Sequence, residues 1–140
     1  MAARVLRAWP ALAALVVAAA YALWLMSAGN WSPLSLVRLP DPSAPPQSPA
    51  SKGYDGQFAY YIALDPEPAR VAAHLDVAPY RYQRILYPLI ARALALGQAA
   101  LVPWTLIAVN WLALMAGTKL TESILVRRGV SRWYALSYGL

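Results

Sequence analysis

The chain has 140 residues, 60% of them hydrophobic and only 13% charged, with a formal net charge of +6. A water-soluble globule is nearer half apolar and a quarter charged, and disorder needs low hydrophobicity with high net charge, so both classes are excluded. Cysteine is absent, which removes disulfide scaffolds, thiol catalysis and thiolate metal sites.

Alanine and leucine contribute 28 and 22 residues, a bias toward helix, and the predicted fold class is all-α. The first element is the uncharged run Ala8–Ala28, 21 residues long. At about 1.5 Å rise per residue it covers the roughly 30 Å hydrocarbon core of a bilayer. Pro10 falls in its first turn, where a missing N–H costs little. A cleaved signal peptide is the competing reading, since Arg4 and Arg7 precede the run. The apolar stretch is too long for a signal core, and Trp24-Leu25-Met26 is a poor approach to a small-residue cleavage site, so an uncleaved membrane helix is favoured.

Residues 29–52 are rich in proline, from Pro33 to Pro49, and read as an extended linker or a loop laid along other parts of the protein. Asn30-Trp31-Ser32 matches the N-glycosylation pattern, but it abuts the membrane and is read as fortuitous. Composition changes at Tyr54. The run Tyr54-Asp55-Gly56-Gln57-Phe58-Ala59-Tyr60-Tyr61-Ile62-Ala63-Leu64 predicts a helix over about 56–64. Phe58, Tyr61 and Ile62 share one face, and Asp55 stands where an N-cap belongs. Asp65-Pro66-Glu67-Pro68 then marks the start of a second short helix over about 67–75, with Val71 and Leu75 as its buried face. His74 is the only histidine and reads as an exposed helix residue, without companions for a metal site.

A third helical stretch is predicted over about 80–96, its part from Pro88 to Leu96 lying at the membrane interface and stopped by Gly97. Arg81 and Arg84, three apart, either hold a phosphate by paired hydrogen bonds or sit with Tyr80, Tyr82 and Tyr87 at headgroup level. The second uncharged run, Ala99–Gly117, has 19 residues and is just long enough to span. Asn110 in its middle calls for a partner helix.

Flanking charge sets a direction. Arg4 and Arg7 lie before the first span, while Lys119, Arg127, Arg128 and Arg132 against Glu122 alone follow the second. The intervening 29–98 holds six basic and five acidic residues in ten times the length of the N-terminal tail. The positive-inside rule places residues 1–7 and 118–132 in the cytoplasm and 29–98 outside, in a multi-pass protein of the plasma (inner) membrane. The arginine excess thus reads as topology, and a nucleic-acid partner loses its main support. Trp133-Tyr134-Ala135-Leu136-Ser137-Tyr138-Gly139-Leu140 looks like the beginning of a third helix, so the chain is expected to be a truncated polytopic protein whose further C-terminal transmembrane helices are missing partners.

One apolar helix, an outer segment carrying Tyr54-Asp55-Gly56-Gln57-Phe58-Ala59-Tyr60-Tyr61-Ile62-Ala63, then Tyr80-Arg81-Tyr82-Gln83-Arg84-Ile85-Leu86-Tyr87-Pro88 and a second helix: this order resembles the N-terminal part of bacterial membrane glycosyltransferases of the GT-C superfamily. The resemblance implies transfer of a sugar from a polyprenyl-phosphate donor to an extracytoplasmic acceptor in cell-surface glycan assembly. It makes Asp55, matching the acid of the first outer loop, the catalytic base. Arg81 and Arg84 match the basic positions that follow and would stabilise the leaving phosphate. Tyr54, Gln57, Tyr61 and Tyr82 complete the implied substrate-binding set, with Tyr60 beside them in an aromatic wall. No cofactor is implied beyond the lipid-linked sugar donor, which is a substrate, and metal use is left open. The pattern departs from the family in the proline-rich stretch before the acid, in Asp55 standing alone in its motif, and in having two spans where the family has many. A reading from a different class is a small non-catalytic two-helix membrane protein that acts as an interaction or assembly partner. It accounts for the spans and the charge asymmetry, but less well for tyrosine, acid, glycine and arginine gathered in two short motifs.

Overall fold

The computed structural model describes residues 9–41, 43 and 54–139. The tail arginines Arg4 and Arg7 and the proline-rich stretch over 44–53 lie outside the described residues. The described residues form helices joined by turns and short irregular segments, without a strand. In order, it forms α1 (Trp9–Ala28), α2 (Leu34–Val37), α3 (Gly56–Leu64), α4 (Pro68–Val71) continued by a tighter 3-10 turn (Ala72–His74), and α5 (Ala78–Tyr82). Then come α6 (Leu86–Leu94), a 3-10 turn (Ala99–Leu101) leading into α7 (Val102–Arg127), a 3-10 turn (Arg132–Ala135) and α8 (Leu136–Gly139).

α1, and α7 with its preceding turn, are long and apolar enough to cross a bilayer. Only 22% and 17% of their most apolar windows are buried. A core helix of a soluble domain would bury its apolar side chains, yet Val16, Leu23 and Trp24 on α1 and Leu112, Leu120 and Ile124 on α7 are exposed. The chain divides into two compact units, Leu25–Val109 and a second built from Met1–Trp24 with Asn110–Leu140.

In the first unit α3 packs on α6. The contact is made by small residues: Ala63 meets Ala91 and Ala95, with Val102 and Leu106 closing the core and Tyr60, Leu64, Tyr87 and Val109 around it. Alanine leaves the two backbones free to approach, and that approach brings Arg92 of α6 against the end of α3. Its Nη1 donates to the Leu64 carbonyl and, at 3.0 Å, to that of Ala63, satisfying carbonyls that a helix end leaves without partners. The other side of α6 carries Leu86, Ile90 and Leu94, all exposed, so the helix is amphipathic in the manner of one lying at a membrane surface. Between α5 and α6 the helix predicted over about 80–96 is interrupted at Gln83, Arg84 and Ile85, which turn by bonds of the i to i−3 kind at 3.2 to 3.3 Å. Pro88 supplies the reason: it has no N–H to give the Arg84 carbonyl, and its ring would strike that carbonyl in a continuous helix.

In the second unit α7 continues through Gly117 and stops after Arg127. The Val130 N–H donates to Leu125 O at 2.9 Å and the Gly129 N–H to Val126 O at 3.1 Å, with Gly129 at φ +74°. This is a Schellman motif, and the glycine supplies its left-handed residue. Gly117 makes room for a side chain: a Cβ there would lie 2.2 Å from the ring of Tyr138 in α8.

The Arg92 cap is testable. Arg92→Met keeps an unbranched apolar stem but leaves the carbonyls of Ala63 and Leu64 without the guanidinium, a loss of about 1–3 kcal/mol. Hydrogen exchange over α3 is expected to accelerate accordingly, while the protection of α7 is unchanged.

Candidate active site

Asp55 precedes α3 as its N-cap residue, but its backbone is already helical, φ −53° and ψ −27°, and its side chain makes no capping hydrogen bond. A capping side chain needs an extended backbone at that position to turn back over the first turn. The carboxylate turns outward instead, and the Arg81 Nη2 donates to its Oδ1 at 3.1 Å. Gly56, the next residue of the motif, allows α3 to start against the preceding segment: a Cβ there would come within 3.2 Å of the Val37 carbonyl oxygen. The Tyr54 N–H donates to Arg38 O at 3.1 Å, which anchors the motif's first residue to the end of α2.

Arg81 is the centre of the arrangement. Its Nε donates to Asp76 Oδ1 and its Nη2 to Asp76 Oδ2, both at 2.7 Å. The guanidinium carbon stands 4.0 Å from the centroid of the Phe58 ring, a cation–π contact that ties α5 to the buried face of α3. The side chain of Arg81 is 14% exposed, whereas those of Asp55 and Asp76 are 67% and 50% exposed. One nearly covered cation thus presents two carboxylates to solvent. The hydrogen bonds from Arg81 hold the Asp76 carboxyl at about 2, below its ordinary 3.8, and the bonds to Asp76 raise Arg81 in turn.

These groups line a cavity of about 630 Å³ together with Tyr54, Gln57, Phe58, Tyr61, His74, Leu75, Ala73 and Pro40. His74 stacks on Tyr61, ring centroids 4.5 Å apart and planes 20° from parallel, so the solitary histidine extends the aromatic wall from the turn after α4. No group of three or more metal-ligating side chains occurs among the described residues.

Of the residues singled out from sequence, Tyr54, Asp55, Gln57, Tyr61 and Arg81 share this cavity, and Tyr82 and Arg84 do not line it. The Tyr82 hydroxyl donates to Pro66 O at 3.0 Å, and burial raises its pKa. The Arg84 Nη2 is 3.3 Å from the Tyr80 hydroxyl, and its guanidinium lies 5.7 Å from the Tyr80 ring. Asp76 is the site residue that the sequence reading passed over. Its signal is in the sequence: Asp65-Pro66-Glu67-Pro68-Ala69-Arg70 and Asp76-Val77-Ala78-Pro79-Tyr80-Arg81 repeat the spacing Asp-x-x-Pro-x-Arg. In both copies the arginine folds back on the aspartate. Arg70 Nη2 donates to Asp65 Oδ1 at 2.9 Å, as Arg81 does to Asp76, and Arg70 holds the Asp65 carboxyl at about 2.

Chemically the site offers one net negative charge, a carboxylate free to face a ligand, and aromatic surfaces beside it. That combination suits a polyhydroxylated molecule, whose hydroxyls donate to carboxylates and whose C–H faces lie on aromatic rings.

Because the folded-state values of Asp65 and Asp76 are depressed to about 2 from 3.8, their contribution to stability is complete above the unfolded value and disappears as pH falls through the folded one. The contribution of the two clasps to the outer segment is expected to be complete from neutral pH to about 4 and to disappear between about 4 and 2, read as a local rise in hydrogen exchange over 65–82. Asp76→Asn is expected to weaken the α5 region at neutral pH and to reduce the acid sensitivity there.

Comparison with protein family models, with curated proteins and with solved structures finds no match to this chain.

Proposed function

We propose that the chain crosses the cytoplasmic membrane through α1 and α7, with both flanks cytoplasmic. On this reading residues 29–98 carry the outer catalytic segment of a GT-C-type glycosyltransferase that uses a polyprenyl-phosphate sugar. The topology is supported by the low burial of the two apolar helices and by the placement of the basic residues. The observation that carries the catalytic reading is the state of Asp55: exposed at the mouth of an aromatic cavity, unused as a cap, and held by Arg81.

In this mechanism an acceptor hydroxyl donates to the Asp55 carboxylate, and its oxygen attacks the anomeric carbon of the donor sugar. The new carbon–oxygen bond forms as the bond to the lipid phosphate breaks, and the bonding pair leaves on the phosphate. The proton passes to Asp55, and the sugar inverts. Arg81 fixes the direction of the base, and Asp76 acts through Arg81 as a positioning residue. Since the charge of Arg81 is already offset by two carboxylates, the leaving phosphate falls to Arg84, which stands outside the cavity lining beside Tyr80 and must turn toward the donor to meet it. Tyr54, Tyr61 and His74 form the wall against which the sugar lies.

Two measurements test this reading. In membranes of cells that express the gene encoding these residues, Asp55→Asn is expected to lower sugar transfer from polyprenyl-phosphate donors by about 10²–10⁴-fold, the usual worth of a general base. Transfer at the native rate by that variant would overturn the assignment and favour a non-catalytic assembly partner. Since the chain has no cysteine, single cysteines report topology directly. Ala72→Cys is expected to react with an impermeant maleimide from outside, and Ser131→Cys only after the membrane is opened.

A further inference from the structure

We infer that the cytoplasmic end of α7 holds a binding site for a phosphate-bearing anion, with the headgroup of an anionic phospholipid as its occupant. This goes beyond the transferase reading and uses different residues. A cavity of about 520 Å³ is lined by Lys119, Glu122, Ser123, Val126, Arg127 and Arg132.

Its organising group is Glu122, a carboxylate only 5% exposed, with Lys119 Nζ at 2.7 Å and Arg132 Nη1 at 3.9 Å. A buried carboxylate must be neutralised, and this one draws a cation from each side of the turn that ends α7. Gly129 is what allows the second: its left-handed backbone, φ +74°, reverses the chain so that Arg132 returns toward Glu122.

The cavity wall then carries three cations and one carboxylate, leaving two positive charges. Arg127 in particular forms no ion pair among the described residues. Two guanidiniums in one concave site suit a phosphate ester, which accepts from each in a paired geometry. Val126 adds an apolar strip of the kind a glycerol backbone covers. The α7 carbonyls at this end favour cations by themselves, but a dipole asks only for positive charge near the helix end. It does not ask for a concave site with cations in excess of the acid that gathers them, and a basic pocket of that kind is what a phosphorylated headgroup fits.

The test uses the whole chain in neutral detergent and reads bound lipid by native mass spectrometry, with dioleoyl phosphatidylglycerol and dioleoyl phosphatidylcholine as probes. One phosphatidylglycerol is expected to survive activation that strips phosphatidylcholine. Arg127→Gln, which leaves both Glu122 partners in place, is expected to lower that retention about fivefold. Arg128→Gln, adjacent in sequence but outside the cavity, is expected to leave it unchanged, with helix content by circular dichroism as the check on folding in each variant. Equal retention of the two lipids, or equal losses from Arg127→Gln and Arg128→Gln, would show a general basic belt and overturn the site. Resistance of the bound lipid to millimolar inorganic phosphate supports the headgroup, whereas displacement by it overturns the lipid assignment in favour of a soluble phosphate ligand.

Discussion

Arg81 is the point at which separate pieces of the outer segment become one site. It belongs to a five-residue helix, α5, too short to hold its own shape in water. The side chain places one face on Phe58 of α3 and spends its donors on Asp76 and Asp55. Desolvation of the guanidinium is offset by two carboxylates and an aromatic face together, and any one of these alone would be a weak partner. Remove it and two acids of like charge, one at the start of α3 and one before α5, lose the cation that they share.

The site can be assembled this way because the α3 and α6 backbones lie close. Ala63, Ala91 and Ala95 set the distance between the helices, and Arg92 completes the end of α3. Leu86, Ile90 and Leu94 of α6 lie on its other side and face outward. In the proposed membrane placement this division suits a helix of the headgroup layer, with its alanines toward the protein and its exposed leucines and isoleucine toward the lipid. In the proposed arrangement the cavity is thereby kept near the bilayer surface, where a lipid-linked donor presents its sugar.

Much of the fold was legible in the sequence, because the signals were of the kind that hydropathy and turn chemistry record. The two long helices follow from uncharged runs, the start of α3 from the change in composition at Tyr54, and the end of α6 from Gly97. Other features needed geometry. That α7 runs on to Arg127 cannot be read from an apolar run that ends at Gly117, since charge does not stop a helix and the stop is the Gly129 turn. The break before α6 was written in Pro88, but a proline three residues into a helix looks the same whether or not a helix precedes it. For the candidate site, the resemblance grouped Tyr54, Asp55, Gln57, Tyr61, Arg81, Tyr82 and Arg84 without showing that the first five share a cavity and that Tyr82 and Arg84 lie outside its lining. It could not show that Asp55 leaves its cap unused, which depends on φ and ψ, nor that Arg84 turns to Tyr80. Asp76 was missed because its partner lies five residues on, a spacing that a regular helix does not bring together and a proline-started turn does.

The repeated Asp-x-x-Pro-x-Arg clasp has a consequence for how the outer segment assembles. Asp65 with Arg70 and Asp76 with Arg81 each close a loop five residues long, whereas Asp55 with Arg81 closes one of 26. Loop entropy makes the short closures the cheaper ones, available while the rest of the segment is still open. Arg81 is therefore already oriented by Asp76 when the longer loop closes on it. The carboxylate assigned to catalysis thus meets a guanidinium whose direction its own neighbouring sequence sets at lower entropic cost.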